Sequence, residues 1–382
     1  MRVPFDVSWP LSMRTPAQCF FVWIVLALSG VAPAKADITI AVAGPMSGKF
    51  AAFGKQMQIG AALAVAEVNR TNGVRGQRVR LITADDRCDA TLAVKVAKEM
   101  VRRKVSMVAG HLCSRASIAA MPVYARAGIA MISPGSTHPQ LTDGARRNGW
   151  RNVFRVCGRD DAQAEVIGRY LANYHRRRNI AILHDRSSYG QGLARLVRKS
   201  IRRQGVREVL FLAYRPGSGS FRSLVARMKS AKIKAVFLGG FFPEGAGIVR
   251  QAQENKFAPQ FIAADAFITD EFWKFAGKAG QGTLVTLQRD PMLRPDAKRA
   301  RKLARKANKI LTSYGFHAFA AIEVWAAAAR SAKSMRIGDV ASKLRSRRFR
   351  TAIGSLRFDD KGDVRGSRYV WRIWKDGKTV PR

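Results

Sequence analysis

The chain has 382 residues, 47% hydrophobic and 25% charged, with 68 Lys and Arg against 26 Asp and Glu for a formal net charge of +42. That apolar content excludes an intrinsically disordered chain, and the length suffices for two domains, each with its own core. The charge alone suggests nucleic acid, yet the cations are spread along the chain, as in Arg198, Lys199, Arg202 and Arg203, without a basic arm or interleaved stacking aromatics. A solvated surface without a nucleic-acid partner is therefore expected, one that would also be drawn to anionic lipid.

At the N-terminus, Arg2 and Arg14 precede an apolar run over 19–28, and Ala34-Lys35-Ala36 gives a small-x-small pattern. This reads as a secretory signal peptide over 1–36, removed after Ala36. The run stops at Ser29-Gly30 and Pro33, short of the roughly 20 apolar residues that a membrane span needs. Cys19 leaves with the signal, and Cys88, Cys113 and Cys157 remain. In an oxidising compartment, one disulfide and one free thiol is the simplest account.

From Asp37 onward, short β-branched runs alternate with amphipathic stretches. Strands are expected at 38–43, 79–84, 106–110 and 129–133, and helices at 54–69, 91–103 and 117–127. Nearly continuous apolar strands between helices specify a parallel sheet covered on both faces, a doubly wound α/β lobe. After a strand at 153–157 the pattern restarts with helices at 162–176, 192–204, 221–231 and 247–254 and strands at 180–184, 208–213, 235–239 and 261–264. A strand at 283–287, helices at 295–312 and 316–332, and a late strand at 367–374 break the alternation.

Two hydroxyl-bearing turns follow strands of the first lobe: His111-Leu112-Cys113-Ser114, and Ser133-Pro134-Gly135-Ser136-Thr137-His138. Backbone N–H groups and hydroxyls of Ser114, Ser136 and Thr137 at strand carboxyl ends, beside helix N-termini, suit a small carboxylate. In the second lobe Tyr189, Phe241-Phe242 and Asp265 also follow strand ends. Aromatics there would cover an apolar ligand face, and the Asp265 carboxylate would pair an ammonium, so a zwitterion with an apolar side chain is the inferred guest. On residues alone, core packing of the aromatics and a solvent-facing cap for Asp265 weigh equally.

Nothing points to catalysis, a metal or a cofactor. Asp85, Asp86 and Asp89 lack calcium-loop spacing, and loop solvation with helix capping by Asp89 suffices. The five histidines show no metal-ligand spacing, and no Gly-x-Ser-x-Gly elbow is present. Gly44-Pro45-Met46-Ser47-Gly48 lacks the dinucleotide and phosphate-loop signatures. Cys88 and Cys113 sit at neighbouring strand ends, where a disulfide is favoured over the alternative of a Cys113 thiol nucleophile paired with His111.

In several blocks in one order the chain resembles the periplasmic leucine/isoleucine/valine-binding proteins, type I solute-binding subunits of branched-chain amino-acid ABC transporters. The matching blocks include Gly44-Pro45-Met46-Ser47-Gly48, Asp85-Asp86 with Cys88-Asp89, Gly110-His111-Leu112-Cys113-Ser114, Met131-Ile132-Ser133-Pro134-Gly135, His184-Asp185 with Tyr189-Gly190-Gln191-Gly192, Gly239-Gly240 with Pro243-Glu244, and Asp360-Lys361-Gly362-Asp363. The resemblance implies two Rossmann-like lobes joined by three crossovers, lobe one at 37–157 and 290–362 and lobe two at 158–289 and 363–382. It implies that Ser114 and Thr137 hold the ligand carboxylate, that the Ser136 carbonyl and Asp265 meet the ammonium, and that Tyr189 faces the ligand. Phe53 and Phe241 fall where the family carries larger or hydroxylated aromatics, and Cys88 and Cys113 match its disulfide pair. The implied partners are an amino acid and an inner-membrane ABC permease, for a monomeric periplasmic protein without enzymatic activity. The alternative is a related binder of an amide, urea or aromatic acid, serving transport or sensing.

Overall fold

The computed structural model describes residues 36–288 and 291–382. The expected signal segment through Lys35, with Cys19, and the expected lobe boundary at 289–290 lie outside the described residues.

Five strands, β1 (Ile38–Gly44), β2 (Val79–Asp85), β3 (Met107–Gly110), β4 (Ala130–Ser133) and β5 (Val153–Arg155), form a parallel sheet in the order β2-β1-β3-β4-β5. A second sheet contains β6 (Ile180–His184), β7 (Leu210–Ala213), β8 (Ala235–Gly239), β9 (Gln260–Ala263) and β10 (Leu284–Gln288), all parallel. After β10 in sequence comes a small separate hairpin, β11 (Phe349–Thr351) and β12 (Gly354–Leu356). The chain then returns to the second sheet as β13 (Tyr369–Lys375) and β14 (Lys378–Pro381), both antiparallel to their neighbours, completing the order β14-β13-β10-β9-β8-β6-β7. Three crossovers thus connect the sheets: after β5, after β10 and before β13.

Strands such as β3, β4, β6 and β8 are buried at every position, which is why they read as continuous apolar runs. The winding direction reverses between β1 and β3 in one sheet and between β6 and β8 in the other. Crevices at such reversals, beyond the strand carboxyl ends, are where open α/β sheets bind ligands.

The Ala-rich helix Ser313–Ser331 is almost wholly buried and packs on helix Ala51–Arg70. The approach requires glycine: a Cβ on Gly60 would lie 1.9 Å from the Gly315 carbonyl oxygen. The helix expected over 295–312 is instead a 3-10 turn at Pro295–Ala297 followed by helix Lys298–Lys306, and Asn308 leaves it in the left-handed region at φ 51. Short helices Gln140–Arg147, Asp270–Ala276 and Ile337–Ser346, absent from the sequence reading, fill connections. The final hairpin turns through Asp376 and Gly377, both at positive φ, as a two-residue connection favours.

Gly60→Ala is expected to destabilise the protein by about 1–3 kcal/mol through overpacking, read as a lower urea midpoint. An unchanged midpoint would contradict so close an approach of the two helices.

Candidate functional site

The two hydroxyl turns are stitched together by short polar contacts. Ser133 Oγ donates to the His111 carbonyl at 2.7 Å and accepts from the Ser136 amide at 2.9 Å. Ser136 Oγ donates to the Leu112 carbonyl at 2.9 Å and also bonds the Ser117 hydroxyl. His111, fully buried, places Nδ1 2.5 Å from Asp86 Oδ2 and Nε2 3.0 Å from the Tyr124 hydroxyl. Cys88 and Cys113 form a disulfide, with Cα atoms 5.3 Å apart, so Cys113 is not a thiol and His111 is not its base. Ser114 begins helix Ser114–Arg126, and its Oγ accepts from the His138 amide at 3.3 Å.

Beneath the second turn lies Arg155 of β5, whose side chain is wholly buried. Its guanidinium donates to the Ser136 carbonyl at 2.7 Å, the His138 carbonyl at 3.0 Å, Thr142 Oγ1 at 2.7 Å and Asp363 Oδ1 at 2.7 Å. Arg159 adds a 2.7 Å bond to Asp363 and pairs with Asp143 at 3.0 Å. The Ser136 carbonyl, expected to meet an ammonium, therefore already serves a guanidinium and the Cys157 thiol at 3.6 Å. A second cation there would face like-charge repulsion.

The opposite wall comes from the second sheet. Asp265 follows β9 in a 3-10 turn and is the hub of the site. Tyr189 Oη donates to its Oδ1 at 3.1 Å, Gln163 Nε2 to the same oxygen at 3.2 Å, and Tyr314 Oη to Oδ2 at 3.4 Å. Burial raises the Asp265 pKa against the lowering effect of these donors. Tyr314 belongs to the helix packed on the first sheet, so its bond spans both lobes.

Aromatic rings line the rest. Phe241 lies 4.5 Å from Phe50 and 5.2 Å from Tyr189 between centroids, while Phe53 lies 5.0 Å from Tyr314 and 5.7 Å from Phe242. Lys49 reaches across to Glu244 at 3.4 Å at the rim. Two small cavities flank Asp265. One, about 30 Å³, is lined by Thr137, Cys157, Tyr314 and Tyr369, and the other, about 20 Å³, by Ser114, Gly135, Tyr189, Phe241 and Tyr314. Each has room for about one water, so a larger guest requires the lobes to part.

Every sequence-derived site residue is accordingly at or beside one crevice: Phe53, Ser114, Ser136, Thr137, Tyr189, Phe241 and Asp265. Sequence reading missed Arg155, Gln163 and Tyr314. An arginine inside the apolar Val153-Phe154-Arg155-Val156 strand was the available signal, since cations are almost never buried without partners. The acidic turn resolves as local structure, with Asp89 capping helix Ala90–Arg102 and Asp85 accepting from the Met46 amide at 2.8 Å.

Comparison with known proteins gives this arrangement a family. The periplasmic binding protein family model matches residues 37–378. The chain belongs to the periplasmic binding protein family. It is 38% identical to a Leu/Ile/Val-binding protein homolog 2 of Brucella abortus over 347 residues, covering 90% of this chain and 92% of that one. It is 37% identical to an amino acid binding protein of Pseudomonas aeruginosa over 346 residues, covering 90% and 91%. The crystal structure of the leucine binding protein LivK from Thermotoga maritima superposes with a TM-score of 0.81 at 26% identity, covering 90% of this chain and 97% of that one. The fold is that of a type I periplasmic binding protein, a family of substrate-binding proteins exported to the periplasm.

Arg155→Ala leaves Asp363 paired with Arg159 but strips the Ser136 and His138 carbonyls of their guanidinium donor, and is expected to cost about 1–3 kcal/mol in chemical denaturation; an unchanged midpoint would remove the network from its supporting role. Burial pushes the Cys157 thiol up to about 12. A thiol reagent at neutral pH should leave Cys157 unlabelled in the native protein and label it upon denaturation.

Proposed function

We propose that this protein is the substrate-binding component of an ABC transporter, capturing a branched-chain or other apolar amino acid between two lobes and delivering it to a membrane permease. The observation that carries this reading is the opposition of a hydroxyl-rich turn pair, Ser114 with Thr137, to a single part-buried carboxylate, Asp265, across an aromatic-lined crevice. Ser114 and Thr137 take the ligand carboxylate. Asp265, oriented by Tyr189, Tyr314 and Gln163, takes the ammonium, whose charge offsets the burial that otherwise favours the protonated acid. Ser136 shapes the turn through its hydroxyl, its carbonyl being held by Arg155. Phe53 and Phe241 bound the side-chain pocket.

In this reading the lobes comprise 37–157 with 290–362 and 158–289 with 363–382, and they close about the three crossovers as a hinge. The mature protein begins after Ala36, acts in the periplasm as a monomer, and carries out no chemistry on its ligand. Relatives named for leucine, isoleucine and valine binding at 38% identity support the ligand class.

Titration calorimetry with leucine, isoleucine and valine should give saturable binding; heats indistinguishable from dilution for every α-amino acid would overturn the assignment. Asp265→Asn should weaken amino-acid binding about 30-fold or more, and weaken an uncharged analogue far less. Equal losses for both ligands would mean that Asp265 does not meet the ammonium.

A further inference from the structure

A second hollow adjoins the crevice where the three crossovers come together. Its volume is about 240 Å³, room for a polyatomic ion, whereas each cavity beside Asp265 holds about one water. Every crossover contributes to its wall: Val156 just after β5, Gln288 at the end of β10, and residues 364–368 just before β13. The hairpin β11–β12 adds Ile353, Ser355 and Leu356. Gln288 and His317 line both this hollow and the cavity of about 30 Å³ beside Asp265, with His317 Nε2 3.2 Å from Gln288 Oε1, so the two spaces share a wall.

The charge of the hollow is one-sided. Among the described residues its wall carries Arg294, Arg365 and Arg368, with the hydroxyls of Ser355 and Ser367, and no carboxylate. Arg368 makes no hydrogen bond or ion pair with a described residue, and the side chain of Arg365 is engaged only through Nε, which donates to the Phe358 carbonyl at 3.3 Å. Arg294 is held in place. Its carbonyl accepts from Arg301 at 3.1 Å, and its guanidinium pairs at 3.1 Å with Asp296, a surface acid outside the wall. It lies so close on the hairpin turn that a Cβ on Gly354, itself at φ 104, would sit 2.3 Å from its Nη2. A net charge of +42 scatters arginines over the whole surface; these three differ in converging on one hollow without an acid of its own. Guanidinium groups so placed repel one another, and an oxyanion relieves the repulsion while accepting their N–H groups in pairs.

We propose that this hollow binds a free inorganic oxyanion of the phosphate or sulfate class through Arg294, Arg365 and Arg368, and that its occupancy favours the closed crevice. The site itself goes beyond the amino-acid-binding reading, and only its effect on leucine rests on that reading. Arg294 follows the second crossover, while Arg365 and Arg368 belong to the third. Parting of the lobes redirects the crossovers and so changes the spacing of the three guanidinium groups. They converge in a structure whose crevice is closed to all but water-sized guests, so an anion that bridges them binds this arrangement better than an open one. Such coupling is reciprocal: a ligand that closes the crevice tightens the anion, and the anion tightens the ligand.

Titration calorimetry of sodium phosphate and of sodium sulfate into the full, ligand-free protein, at an ionic strength held constant with sodium chloride, tests the site directly. Saturable binding is expected, about tenfold weaker in Arg368→Ala and in Arg365→Ala. It should be unchanged in Lys199→Ala, which removes the same charge from helix Ser188–Arg203. Arg368 is exposed, so its removal should leave the urea midpoint in chloride where it was. Heats no different from dilution would overturn the proposal, as would an equal loss in Lys199→Ala, which would reduce the effect to diffuse attraction by the net charge. Glycerol 3-phosphate binding more tightly than phosphate would assign the hollow to an esterified headgroup and overturn it too. With saturating phosphate, leucine should bind about fivefold more tightly to the wild type and no more tightly to Arg368→Ala; an unchanged wild-type affinity would overturn the link to closure. Absence of leucine heat while phosphate still binds would instead sink the amino-acid reading and leave the anion site standing.

Discussion

The site depends on a guanidinium held where water cannot reach it. Arg155 emerges from the end of β5 into the first lobe and binds two carbonyls of the 134–138 turn, a threonine hydroxyl and Asp363. A buried ion pair repays its desolvation only when its remaining donors are satisfied, and here four partners do so. The consequence is mechanical. A loop with Gly and Pro in it, otherwise free to move, is held to a strand on one side and to the chain just before the third crossover on the other. Because Asp363 precedes β13, the network links the turn that faces the crevice to a segment that connects the two lobes.

Opposite that turn, polarity is concentrated on one residue. Asp265 draws donors from three helices, two belonging to the second sheet and one to the first. Its hydrogen bonds are therefore sensitive to the separation of the lobes in a way that the Arg155 network is not. The aromatic pairs Phe50 with Phe241 and Phe53 with Phe242 act in the same direction but without directionality, contributing apolar contact wherever the rings meet.

Much of this architecture was legible in the sequence because its strands are buried on both faces, and a fully apolar run between amphipathic helices admits few folds. What escaped is concentrated at helix starts. Helices expected at 117, 192 and 247 begin at Ser114, Ser188 and Phe242. Their first turns, such as Ser188-Tyr189-Gly190-Gln191, face the crevice and so lack the apolar periodicity that reveals the later turns. The Ser136 carbonyl could not be judged either, because its donor lies 19 residues away. The resemblance supplied roles for Tyr189 and Asp265 that the residues alone left balanced against core packing and capping.

The Cys88–Cys113 bond ties the end of one strand connection to the residue immediately before Ser114. Closing a chain separation of 25 residues removes about 3.5 kcal/mol of unfolded-chain entropy. Half of the crevice is thus organised by a covalent link that exists only under oxidising conditions. In a thiol-reducing milieu the same polypeptide has a less constrained Ser114 turn, so the readiness of this half-site is set by the compartment in which the chain matures.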